Sequence, residues 1–228
     1  MASLPGIHRG QPLLTAGEAP EHAQAAMVLL HGRGATAEDI LTLTPELPAA
    51  GWAFLAPQAA SGAWYPHPFR APIESNEPWL SSALAVVTGL LERLAGAGVP
   101  PERTVLLGFS QGACLTLEYA ARNARRYGGV VGLSGGLIGP DGAPRDDHGS
   151  LAGTPAFLGC SERDPHIPAH RVRHAADVLR DLGADVTAAL YPDLGHSVNL
   201  DELEHVRAIM RRLVAVAGSG QESDGGER

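Results

Sequence analysis

Ser110 sits in Gly108-Phe109-Ser110-Gln111-Gly112, a G-x-S-x-G pattern between an apolar run ending at Gly108 and a helix-like pattern of Leu115, Leu117, Tyr119 and Ala120. In that setting the pattern reads as a tight strand-to-helix turn that projects the serine hydroxyl outward, with small flanking residues letting strand, turn and helix approach closely. A serine hydroxyl is a weak nucleophile at neutral pH, so this chemistry requires a histidine to take its proton and a carboxylate to orient the histidine. His196, in Tyr191-Pro192-Asp193-Leu194-Gly195-His196-Ser197, follows an apolar strand-like run and is the candidate base. Asp164, in Gly159-Cys160-Ser161-Glu162-Arg163-Asp164-Pro165, follows another such run and is the candidate carboxylate. Its competing role is a helix cap or an Asp-Pro turn. Glu162 and Asp193 are weaker rivals, His31 belongs to a different loop, and His166, His170 and His174 read as exposed residues around a helix start.

Acyl transfer places negative charge on the substrate oxygen, and each preorganised N–H that meets it is worth roughly a hundred- to a thousand-fold in rate. The amide of Gln111, at a helix N-terminus, is one natural donor. The loop His31-Gly32-Arg33-Gly34 supplies the second, assigned to Arg33 N–H. The Arg33 side chain either meets an anionic substrate group or simply stands exposed, the second being the simpler reading. Trp64, Tyr65 and Phe69 are candidates for the substrate pocket, with packing of their own loop as the competing role; Trp79 is as well explained by packing.

The elements that must position these groups alternate short apolar runs with helical periods. Met27–Leu30, Trp52–Ala56, Thr104–Gly108, Val130–Leu133, Pro155–Gly159 and Val186–Tyr191 read as strands, and Leu13–Thr15 as an edge strand or loop. Helices are predicted over Glu38–Leu43, stopped by Pro45, over Trp79–Leu94, after Gly112, over Ala169–Leu182 and over Leu200–Val214. Such alternation implies a mostly parallel central sheet with helices on both faces, because parallel neighbours need crossovers long enough to hold a helix. Ligands then bind beyond the carboxyl ends of the strands, where Ser110, Asp164 and His196 all fall. The loops 58–77 and 135–153 have no period; the first carries aromatics and should wall a pocket.

The chain of 228 residues suits one domain, expected over residues 1–216, with a Gly/Ser/charged tail over 217–228. A net charge of −8 without basic clusters excludes a nucleic-acid partner. Neither a signal-like N-terminus nor an apolar run of roughly 20 residues is present, so no stable membrane insertion and a cytoplasmic location are expected. Cys114 and Cys160 lie in apolar surroundings and read as buried free thiols.

With Leu30-His31-Gly32-Arg33-Gly34-Ala35, Gly108-Phe109-Ser110-Gln111-Gly112, Asp164-Pro165-His166-Ile167-Pro168 and Gly195-His196-Ser197 in place, most of residues 25–214 resembles the phospholipase/carboxylesterase branch of the α/β-hydrolases. The order Ser110, Asp164, His196 is the one that arrangement demands. The resemblance implies an α/β-hydrolase fold without a large lid domain and a Ser110–Asp164–His196 triad. It also implies an oxyanion hole from the Arg33 and Gln111 amides, no metal, no cofactor, and a homodimer as a frequent assembly. Acyl-protein thioesterases of this branch usually carry leucine where Arg33 stands and a His-Gly pair near Gly159-Cys160. A carboxylesterase hydrolysing small acyl or aryl esters is therefore the closer expectation. The alternatives are a lysophospholipase or thioesterase acting on long acyl chains, and a non-catalytic binding protein on the same fold.

Overall fold

The computed structural model describes residues 6–219. Seven strands form one sheet in the order β1-β3-β2-β4-β5-β6-β7. They are β1 Leu13–Gly17, β2 Ala25–Leu30, β3 Trp52–Pro57, β4 Thr104–Phe109, β5 Gly129–Leu133, β6 Pro155–Ser161 and β7 Asp185–Tyr191. Every pairing is parallel except that of β1 with β3, which is antiparallel. The helices are α1 Ala37–Leu41, α2 Trp79–Gly96, α3 Gln111–Arg122, α4 Ala169–Asp181 and α5 Leu200–Ser219.

Both faces of the sheet are covered, which is why the central strands read as unbroken apolar runs rather than alternating ones. Along β2, Ala26, Val28 and Leu30 pack with residues of α2, α3 and α4. Ala25, Met27 and Leu29 face the other way and pack with residues of α1 and α5. At about 25 cal/mol per Å² of apolar surface removed from water, these two layers supply most of the drive to fold. Strand β7, by contrast, has no fully buried residue, consistent with its place at the edge.

The architecture agrees with the parallel, two-sided sheet read from the sequence. Differences are local. Helix α1 stops at Leu41, short of Leu43, because Pro45 opens a separate 3₁₀ turn over Thr44–Glu46. The tail expected over 217–228 lies outside the described residues from 220 onward, and residues 217–219 continue the backbone of α5. Cys114 and Cys160 are both free and buried. Among the described residues no helix is long and apolar enough to cross a membrane.

Candidate active site

The turn from β4 into α3 is strained where chemistry would want it. Ser110 has φ 55° and ψ −116°, a region that a residue with a Cβ adopts only when its surroundings hold it there. They do so by close packing. A Cβ on Gly108 would overlap the Gly112 carbonyl, and one on Gly112 would overlap the Leu30 carbonyl at the end of the neighbouring strand. Ser110 N–H is also tied to Leu133 O at 2.9 Å.

Asp164 leaves the end of β6, and His196 arrives on the loop after β7. Although β7 is three strands from β4 in the sheet order, that loop carries His196 back over the central strands. His196 Nε2 lies 2.8 Å from Ser110 Oγ, and His196 Nδ1 lies 2.7 Å from Asp164 Oδ2. An ionised carboxylate only accepts, so the imidazole proton sits on Nδ1 and Nε2 is left to accept from the serine hydroxyl. Burial alone would raise the Asp164 carboxyl. Hydrogen bonds from His196 and from the backbone N–H groups of His166 and Ile167 outweigh it and hold the group below its ordinary value. Those two amides meet Asp164 Oδ1 at 2.8 and 2.9 Å. The turn-capping role weighed against an orienting role for Asp164 is thus performed by the other oxygen of the same carboxylate. The Phe109 ring, 5.0 Å between centroids, backs the His196 imidazole.

The loop after β2 lies beside the elbow, since Leu30 pairs with Gly108 across the sheet. The backbone N–H groups of Arg33 and Gln111 donate to no protein acceptor among the described residues, as groups reserved for a ligand oxygen would. The Arg33 side chain is exposed, as the simpler reading had it, but it is not idle. Its guanidinium caps the carbonyls of Tyr65, Pro66 and His67, each at 2.9 Å, and so holds the aromatic loop in place. The Gln111 side chain does the same from beneath, accepting from Trp64 N–H at 2.9 Å and donating to Tyr65 O at 2.8 Å.

Two buried histidines complete this scaffold. His31 Nδ1 bonds Gly32 O while its Nε2 accepts from Ala59 N–H, and His8 Nε2 bonds Trp64 O while its Nδ1 accepts from Ala60 N–H. Each ring must be neutral to accept, and burial lowers both pKa values accordingly.

A cavity of about 630 Å³ opens over Ser110 and His196. Tyr65 and Phe69 line it, together with Arg70 and Cys114. Trp64 does not, which corrects its assignment to the pocket. It is wholly buried in the core beneath the loop, because its large ring finds apolar contacts there and its indole N–H finds His31 O at 2.9 Å. His166 is exposed, as the sequence suggested, but it also belongs to the site. Its ring packs edge-on against His196 at 4.8 Å between centroids and lines the cavity. Its position two residues after Asp164 was the available signal. Among the described residues no cluster of side chains could hold a metal ion.

A mostly parallel α/β sheet, a serine elbow and a histidine–carboxylate pair on two later strand ends define the class: an α/β-hydrolase. The chain belongs to the phospholipase/carboxylesterase family, which it matches over residues 15–213. It is 34% identical over 132 residues to the acyl-protein thioesterase 1 of Gibberella zeae, which covers 54% of this chain and 53% of that protein. It is 29% identical to the acyl-protein thioesterase 1 of Aspergillus fumigatus over 66% of this chain and 64% of that protein. The matched stretch thus spans about half to two thirds of these relatives' length. Among solved structures, a phospholipase/carboxylesterase from Dyadobacter fermentans is 41% identical with TM-score 0.85, covering 89% of this chain and 97% of that one. Esterase PE8 is 25% identical with TM-score 0.72, covering 89% and 98%.

Proposed function

We propose that this protein is a serine carboxylesterase that hydrolyses small acyl or aryl esters through an acyl-enzyme. The observation that carries the reading is the continuous hydrogen-bonded path from Ser110 through His196 to Asp164 at the floor of an open cavity. Ser110 Oγ attacks the ester carbonyl carbon as its proton passes to His196 Nε2. The tetrahedral oxyanion is met by the N–H groups of Arg33 and Gln111, the latter helped by the positive end of α3. His196 returns the proton to the departing alcohol, and water then attacks the acyl-enzyme by the same route. Asp164 keeps the imidazole in the required tautomer and stabilises the imidazolium.

The names of these relatives, acyl-protein thioesterase 1, favour a second reading, to which the alternative of a thioesterase or lysophospholipase working on long acyl chains corresponds. Against it, Arg33, Arg70 and His166 stand among Tyr65, Phe69 and Ile167 in the cavity wall, a lining less uniformly apolar than a long acyl chain favours. A non-catalytic binding role would leave the strained Ser110 turn and its base without a purpose.

The test is hydrolysis of p-nitrophenyl esters from acetate to palmitate, with Ser110→Ala alongside. A maximum at short chains, with kcat at least ~10³-fold lower in Ser110→Ala and the fold retained, is expected. Rates climbing with chain length would replace this reading with the long-chain one, and wild-type turnover in Ser110→Ala would remove Ser110 from the chemistry.

A further inference from the structure

The charge of the cavity runs against the charge of the protein. The chain carries −8 overall, yet no carboxylate lines the cavity, while Arg33, Arg70, His166 and His196 do. Arg33 spends its donors on loop carbonyls. Arg70 is exposed at the cavity and makes no hydrogen bond and no ion pair among the described residues, so its positive charge stands there without a counter-charge. The Arg171 guanidinium adds to the field from behind, stacked 5.0 Å from the centroid of the Phe69 ring, although Asp141 partly offsets it at 3.2 Å. Tyr65 presents a second unused donor. Its hydroxyl is buried without a hydrogen-bond partner among the described residues, next to Cys114, and both residues line the same cavity. A buried hydroxyl without a partner costs on the order of a hydrogen bond, a cost that a ligand oxygen would remove.

We infer that the cavity selects esters bearing an anionic group, with Arg70 and the Tyr65 hydroxyl as specificity-determining residues that hold that group while the ester carbonyl lies at Ser110. This rests on the esterase reading and narrows it to a substrate class. Arginine suits the task because its planar fork takes a carboxylate through two parallel, charge-assisted hydrogen bonds. A guanidinium at a partly open cavity mouth also draws anions in, an effect that salt screens.

Two matched pairs of esters test the inference and locate the anion. Mono-(p-nitrophenyl) glutarate against p-nitrophenyl pentanoate places the charge on the acyl side. 4-Carboxyphenyl butyrate against 4-acetylphenyl butyrate places it on the leaving group. In one of the pairs, kcat/KM for the charged member should exceed that of the neutral one by about tenfold or more at low salt, chiefly through KM, and the excess should shrink as salt is added. Arg70→Gln should reduce the charged-to-neutral ratio by about tenfold and Tyr65→Phe by a few-fold. Equal rates within both pairs, or a preference that survives Arg70→Gln, would overturn the inference. If no ester is turned over, the esterase reading fails by itself. Titration calorimetry of glutarate and 4-hydroxybenzoate then decides separately: binding to the wild type that Arg70→Gln weakens supports the anion site, and no binding to the wild type removes it.

Discussion

Two carboxylates flank the end of β6, and their side chains are equally hidden from water. Asp164 follows the strand, and its side chain has 0% exposure. Glu202, from the first turn of α5, lies beneath Gly159 with 0% exposure. Burial pushes both upward, yet they end on opposite sides of the ordinary carboxylate range. Asp164 receives hydrogen bonds on both oxygens and is held low. Glu202 accepts only from Asn199 N–H, through Oε2 at 2.9 Å, and its Oε1 is buried with no partner among the described residues. Burial therefore prevails, and its pKa is pushed up to about 7. The difference lies in donors and in depth together, since Asp164 as a residue is half-buried and Glu202 is fully buried. The proposed chemistry needs Asp164 ionised beside the imidazole, and three donors converge to keep it so: His196 Nδ1 and the amides of His166 and Ile167. Glu202 needs only to cap α5, which it does reciprocally with Asn199.

The sharpest way to separate the two is by turnover. Asp164→Asn should lower kcat by ~10⁴-fold with little change in far-UV circular dichroism, because an amide no longer enforces the Nδ1–H tautomer. Glu202→Gln should leave ester hydrolysis within about twofold of wild type. An equal loss in both variants would break the comparison.

A steric test comes next. A Cβ at Gly159 would overlap Glu202 Oε1, so Gly159→Ala should cost about 2–3 kcal/mol of stability in denaturant titrations. Most of this should return in the Gly159→Ala/Glu202→Ala double variant. Purely additive losses would show that Glu202 is not what presses on that strand.

A third test is pH dependence. For Glu202 the folded pKa lies above its unfolded value, so its contribution is fully present below about pH 4.5 and is lost as pH rises through about 7, on the order of 3 kcal/mol at most. His8 and His31 act in the opposite direction. Their folded values are depressed, so their contribution is present above about pH 6.5 and lost as pH falls through the folded values. Asp164, also depressed, loses its contribution at still lower pH, below about 3.8. Glu202→Gln should raise Tm at pH 8 and steepen the decline toward acid, since the opposing slope is gone. An unchanged Tm–pH curve would show that Glu202 titrates normally.

The proposed chemistry was legible in the chain because each of its parts is local. The elbow declares itself through Gly108 and Gly112, where any larger residue would collide with neighbouring backbone. Asp164 and His196 declare themselves by following apolar runs that end in Gly- or Pro-bearing loops. The sheet was legible for the same reason, since burial on both faces writes continuous apolar runs into β2, β4 and β6. What periodicity could not place were the loops 58–77 and 135–153, and these shape the cavity.

They are held by polar side chains far away in sequence. Gln111 reaches back 47 positions to Trp64, and His8 reaches forward 52 to Ala60. In the second loop, buried Glu118 accepts from Ile138 N–H at 2.9 Å and Arg145 at 3.1 Å, and Arg171 donates to Leu137 and Gly139 carbonyls. Whether Trp64 faces ligand or core, whether Arg33 meets a substrate or a carbonyl, and whether a buried carboxylate is charged all depend on which partner comes within about 3 Å. The sequence by itself determined the sheet, the elbow and the order of the three candidate groups, because burial pattern and backbone sterics act over a few residues. Only the tertiary structure decided the walls of the cavity and the charge states behind it, because a hydrogen bond is specified by the meeting of two distant groups and neither carries a local trace of the other.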